Sequence, residues 1–116
     1  MNVEDLRDYC LSLGNDVEEK MPFQAFKAAN GVLAFYVCGH MFCYFDVDHF
    51  SVATVKCQPE RIPVLLEEKE GVVPPYNMSQ KHWIGLQPDV ADEALVRELV
   101  RNSYALVKAK YARKRT

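Results

Sequence analysis

Apolar and polar positions along this chain change period several times, and each change predicts an element. Leu6, Tyr9, Cys10 and Leu13 fall at i, i+3, i+4 and i+7, one stripe of an amphipathic helix that Asn2 caps and Gly14 ends. The pattern then becomes extended. Residues 22–27 alternate weakly and predict an edge strand, and Asn30-Gly31 reads as a turn. Residues 32–38 and 41–46 flank Gly39-His40, which predicts a type II′ hairpin with Cys38 opposite Met41. That register puts Leu33, Phe35 and Val37 on one face with Phe42 and Tyr44, and gives the other face Ala34, Tyr36, Cys38, Met41, Cys43 and Phe45. Both faces are apolar, so helices cover one, and the other is partly covered or left for a partner. Residues 51–56 predict a further strand. Gln58-Pro59-Glu60 opens a second helix with Ile62, Leu65 and Leu66 on its apolar side, closed by Gly71. After a loop, His82, Ile84 and Leu86 mark a short strand. Asp92 caps a last helix striped by Val96, Leu99, Val100, Ser103, Tyr104, Val107 and Tyr111. The order helix, three or four strands, helix, strand, helix predicts an α+β fold, a compact two-layer α/β sandwich with helices on one face of an antiparallel sheet.

The 116 residues suffice for a single domain, 1–116, with a short basic C-terminal tail at about 108–116. Apolar residues make up 49% and charged residues 26%, the balance of a soluble globular protein. No apolar run approaches the ~18 residues of a membrane span, and the N-terminal segment carries acids rather than a basic region followed by an apolar one. A cytoplasmic monomer without a membrane partner is therefore expected. Cys10, Cys38, Cys43 and Cys57 read as reduced, packed thiols. Cys38, His40, Cys43 and Cys57 lack a zinc-knuckle spacing, because His40 sits in the predicted turn itself; neither a metal nor a cofactor is expected. Glu4, Asp5, Asp8, Asp16, Glu18 and Glu19 read as helix-dipole and solvated acids, with a cation-holding edge as the alternative.

The net charge of −2 hides an asymmetry: residues 1–70 carry 6 basic and 12 acidic side chains, residues 71–116 carry 8 and 4. Lys108, Lys110, Arg113, Lys114 and Arg115 form a basic end suited to phosphate or to solvation. The densest chemistry lies at 74–84, where two prolines lead into Tyr76, Asn77, Ser79, Gln80, Lys81, His82 and the single tryptophan, Trp83. Such a segment either binds a ligand or inserts Tyr76 and Trp83 into the core.

Residues 4–13, Met21-Pro22-Phe23, Gly39-His40-Met41-Phe42, residues 55–60, residues 74–84 and residues 103–107 together resemble the MmcQ/YjbR family, and the resemblance spans nearly the whole chain. It implies a CyaY-like fold, that of bacterial frataxin, also likened to the double-wing DNA-binding domain of a phage transcription factor. Members are often labelled DNA-binding on that ground. The family block usually reads Pro-x-Tyr-His-Met-Asn-Lys-x-His-Trp, so Asn77 stands for a histidine, Ser79 for an asparagine and Gln80 for a lysine. His40 likewise stands where lysine is usual. The leading expectation is a non-catalytic DNA-binding module, with Lys56, Lys81, Arg97, Arg101, Lys108 and Lys110 on phosphates and Tyr76, Asn77, His82 and Trp83 beside them. The alternative is an adaptor that holds a protein or small molecule on its aromatic sheet face and the 74–84 loop. An enzyme using His82, Lys81 and Cys43 or Cys57 ranks third, since no nucleophile elbow, paired-carboxylate motif or phosphate-cradling loop is present.

Overall fold

The structure, a computed structural model, describes residues 1–112, so Arg113, Lys114 and Arg115 of the basic end lie outside the described residues. Its elements run α1 (Val3–Ser12), β1 (Glu18–Lys20), β2 (Val32–Val37), β3 (His40–Asp46), β4 (Ala53–Lys56), α2 (Ile62–Glu68), β5 (Val72–Val73), β6 (Trp83–Leu86) and α3 (Glu93–Ala112). The strands form one antiparallel sheet in the order β1-β2-β3-β4-β6-β5. This is the α+β architecture the periodicity predicts.

Asn2 caps α1 as expected. Its side chain accepts from the Asp5 backbone N–H at 2.8 Å while the Asp5 carboxylate accepts from the Asn2 N–H at 3.1 Å, a reciprocal capping box. Leu6 and Cys10 are buried beneath it. The predicted α3 stripe is equally direct, with Val96, Leu99, Val100, Ser103, Tyr104 and Val107 all buried. Along the sheet, Phe35, Val37, Phe42, Cys43, Phe45, Val55, Ile84 and Leu86 meet these helices in one core.

Two local expectations are corrected. Residues 22–27 form no strand: Phe26 N–H donates to Phe23 C=O and Ala29 N–H to Phe26 C=O, both at 3.0 Å, in consecutive turns. Phe23 and Phe26 point outward, 37% and 63% exposed, so their weak alternation has no sheet to bury it. The edge belongs to β1, whose Glu18, Glu19 and Lys20 pair with Tyr36, Phe35 and Ala34. A short charged edge strand of this kind resists pairing with other chains.

The hairpin turns one residue earlier than expected. Val37 pairs with His40, leaving Cys38 and Gly39 as the loop at φ 53° and 77°, two left-handed residues as a type I′ turn requires. That shift moves the register by two residues, so by itself it keeps the faces of β3. A bulge turns them over: Tyr36 pairs with Met41 but Phe35 with Cys43, so Phe42 is an extra residue and both Phe42 and Cys43 reach the core. Tyr44, expected beside Phe35, instead shares the opposite face with Ala34 and Thr54.

Candidate functional site

The rung after Cys43–Val55 in the β3–β4 ladder would join Phe42 to Lys56. It is occupied by a side chain. Ser103 of α3, fully buried, accepts from the Lys56 N–H at 2.9 Å and donates to the Phe42 carbonyl at 2.5 Å. The hydroxyl thus satisfies both backbone groups that the parting strands leave open. At this parted end of the sheet, Lys56 of β4 stands in register with Trp83 of β6.

Two further ties complete the walls. Cys57 N–H donates to the His82 carbonyl at 2.9 Å, joining the end of the 74–82 loop to the chain leaving β4. Gln58 and Asn102 exchange amide hydrogen bonds at 2.9 and 3.0 Å, fastening the turn before α2 to α3. The result is a groove of about 360 Å³ lined by Lys56, His82, Trp83, Leu106 and Lys110, with residues 57–60 along its side. Four of the sequence-derived candidates, Lys56, His82, Trp83 and Lys110, therefore meet in one place from separate parts of the chain.

The remaining candidates are placed differently. Tyr76 is 70% exposed, and its carbonyl accepts the Tyr44 hydroxyl bond. This pins the loop over the sheet face that carries no helix, where Ala34 and Thr54 are buried. Gly85 permits the crossing, since a Cβ there would lie 2.8 Å from the Pro74 carbonyl oxygen and 2.9 Å from Val73. Burial pushes the Tyr44 phenol pKa up, although its bond to Thr54 pulls the other way. Asn77 supplies a left-handed turn at φ 56°, a conformation asparagine tolerates. Of the two alternatives for this segment, core insertion does not hold for Tyr76: its ring faces outward, while Trp83 is half-buried.

The cations divide by partner. Arg97 is paired with Glu93 at 3.2 Å and lies 5.0 Å from the Tyr9 ring, beside a separate groove of about 280 Å³ lined by Asp5, Asp8, Tyr9 and Ser12. Lys108 contacts Asp16 at 2.9 Å and the Tyr104 hydroxyl at 3.2 Å; the Asp16 bond, with that of Tyr104, raises its pKa. Lys56, Lys81, Arg101 and Lys110 hold no carboxylate among the described residues. Lys56 and Lys110, the latter with its ammonium 5.4 Å from the Tyr111 ring, are the ones in the tryptophan groove.

The N-terminal acids are likewise engaged: Asp5 in the cap, Glu19 with Arg7 at 2.5 Å, and Asp16 with Tyr104 at 2.6 Å. Among the described residues no group of three or more histidine, cysteine or acidic side chains is placed to hold a metal ion. Cys43 is fully buried, its thiol pushed well up by a hydrogen bond with Cys10 and by burial. Burial also raises the Cys57 thiol. Sequence reasoning did not foresee Ser103, Gln58, Glu60 or Asn102 as part of the site; the buried position of Ser103 in an otherwise apolar stripe was the available signal.

The YjbR family model matches residues 12–106. The chain belongs to the YjbR family. A solved structure from Deinococcus radiodurans, protein DR2400 with a DUF419 domain, is similar at 28% identity and a TM-score of 0.80, over 92% of this chain and 78% of that one. A Pseudomonas syringae protein shares the fold at 20% identity and a TM-score of 0.76, over 92% of this chain and 99% of that one. No curated protein matches the sequence. No helix among the described residues of this YjbR-family chain is long and apolar enough to cross a membrane.

Proposed function

We propose that this YjbR-family protein is a non-catalytic DNA-binding module whose contact site is the Lys56–Trp83–Lys110 groove. The observation that carries the reading is the sorting of cations. Arg97 and Lys108 are held by acids, while Lys56 and Lys110 stand without carboxylate partners beside a half-buried tryptophan and His82. Ammonium groups without carboxylate partners next to an aromatic ring suit a phosphate chain carrying bases. A purely binding role is supported by the state of the thiols: Cys43 and Cys57 are held protonated in the core, where a thiolate nucleophile is disfavoured.

The test is fluorescence anisotropy of labelled DNA titrated with protein at low and moderate salt, repeated with Lys56→Ala and Lys110→Ala. Binding is expected to weaken with salt, and each substitution to flatten the log–log salt slope by about 0.7 to 0.9. Absence of binding at low salt overturns the reading. A second reading then leads, an adaptor for a protein or small molecule, favoured by the outward ring of Tyr76 on a loop pinned to Tyr44.

A further inference from the structure

Most duplex-reading proteins place a helix or a two-stranded ribbon in the major groove. Neither element is free to do so here. The inward face of α3 is buried along its length; of its four cations, Arg97 and Lys108 are held by Glu93 and Asp16 and Lys110 lines the groove, which leaves Arg101 alone for a duplex. The β2–β3 ribbon is held by its tip: the His40 ring stacks on Tyr111 of α3 with centroids 3.4 Å apart and planes 8° from parallel. What the surface offers instead is a cleft of about 360 Å³, the size of a small-ligand pocket, with one indole among its walls. Sequence-tolerant single-strand sites combine an aromatic platform for bases with cations along the backbone.

From these observations we infer that the groove takes an unpaired nucleotide of single-stranded DNA, with Trp83 as the stacking platform and Lys56 and Lys110 on the adjoining phosphates. The inference rests on the DNA-binding reading and narrows it. The Gln58–Asn102 amide pair and the Cys57–His82 backbone bond hold the walls in place before any ligand arrives. Preorganisation of this kind lowers the ordering cost of binding. Lys81, exposed and next in sequence to His82, extends the cationic path beyond the groove.

Trp83 is the single tryptophan of the chain, so intrinsic fluorescence reports on this site alone. The protein is titrated with oligo(dT) about 12 nucleotides long, within the ~4–16 nucleotides of known single-strand sites, with a duplex of equal length, and with inorganic polyphosphate, which has charge but no bases. The single strand is expected to quench Trp83 and bind more tightly than the duplex, and polyphosphate to leave the emission unchanged. By anisotropy, Trp83→Leu is expected to weaken single-strand binding about tenfold or more, while Trp83→Phe retains most of it. Lys110→Ala, at an exposed helix position, is expected to lower the single-strand salt slope by about 0.7 without disturbing the fold. Equal affinity for duplex, unchanged emission with oligo(dT), or equal quenching by polyphosphate overturns the single-strand inference and leaves the DNA-binding reading standing. Failure of both DNA forms to bind at low salt removes that reading and this inference with it.

Discussion

Replacing Ser103 by alanine tests whether the parted sheet end is built as described. The hydroxyl serves two backbone groups at once, the Lys56 N–H at 2.9 Å and the Phe42 carbonyl at 2.5 Å, in a fully buried setting. Alanine fits the space but offers neither bond. An orphaned buried group costs about 1–3 kcal/mol, so two of them predict a loss of roughly 2–6 kcal/mol. At about 4 °C per kcal/mol for a domain of this size, the melting midpoint should fall by roughly 8–24 °C. Thermal melts followed by circular dichroism, with urea titration as a check on cooperativity, measure it. The competing outcome is physically definite: without the hydroxyl, Phe42 and Lys56 can close their own rung, because they are next in the β3–β4 register. A loss below about 0.5 kcal/mol would show that the strands zip together, and would refute the role of Ser103 as a splint that keeps the sheet end open.

The other predictions concern charge and caps. Asn2→Ala removes the side-chain half of the capping box and is expected to cost about 1 kcal/mol in urea unfolding. Asp16 has its pKa lowered, first by the Tyr104 hydroxyl bond and then by Lys108. A lowered carboxyl contributes stability that is full above the unfolded value of about 4 and disappears as pH falls through the folded value. Melting temperature should therefore decline more steeply below about pH 4 in the parent than in Asp16→Asn; parallel curves would contradict this. Glu60 lines the groove and repels phosphate, so Glu60→Gln is expected to tighten DNA binding about two- to fivefold at low salt by anisotropy.

Periodicity identified what depends on many residues acting together. The α1 and α3 stripes each rest on several apolar positions, so no single side chain can mislead. The errors fall where one residue decides. At 37–42 the chain contains a Gly-X signal that favours one turn, but Cys38 adopts the left-handed conformation that shifts the loop, and a bulge at Phe42 then reverses the faces of β3. Both faces of that strand carry apolar residues, which is why the pattern could not reveal the reversal. At 22–27 the alternation rests on Phe23 and Phe26 alone, and local turns satisfy the backbone there without a sheet neighbour. Candidate site residues were nameable by type, but their grouping was not. The ion pairs that remove Arg97 and Lys108 from the free cations are the visible part of that difference, and the pair joining Lys108 to Asp16 spans nearly the whole chain.

The bulge and the serine belong to one irregular end of the sheet, and the groove borders it. An extra residue at Phe42 brings two successive side chains into the core and bends β3 away from the regular ladder. The next rung then fails to close, and its two backbone groups need a partner that a helix crossing the sheet can supply. Serine is small enough to be buried between two strands and carries both a donor and an acceptor. Had the ladder continued, the Lys56 amide would have bonded directly to Phe42, with no hydroxyl between the strands. The groove lies beside that end of β4, against the 57–60 turn and α3, and it is there that Trp83 and two lysines without carboxylate partners meet. The site thus borders an irregular end of the sheet and draws its residues from separate stretches rather than from any one sequence motif.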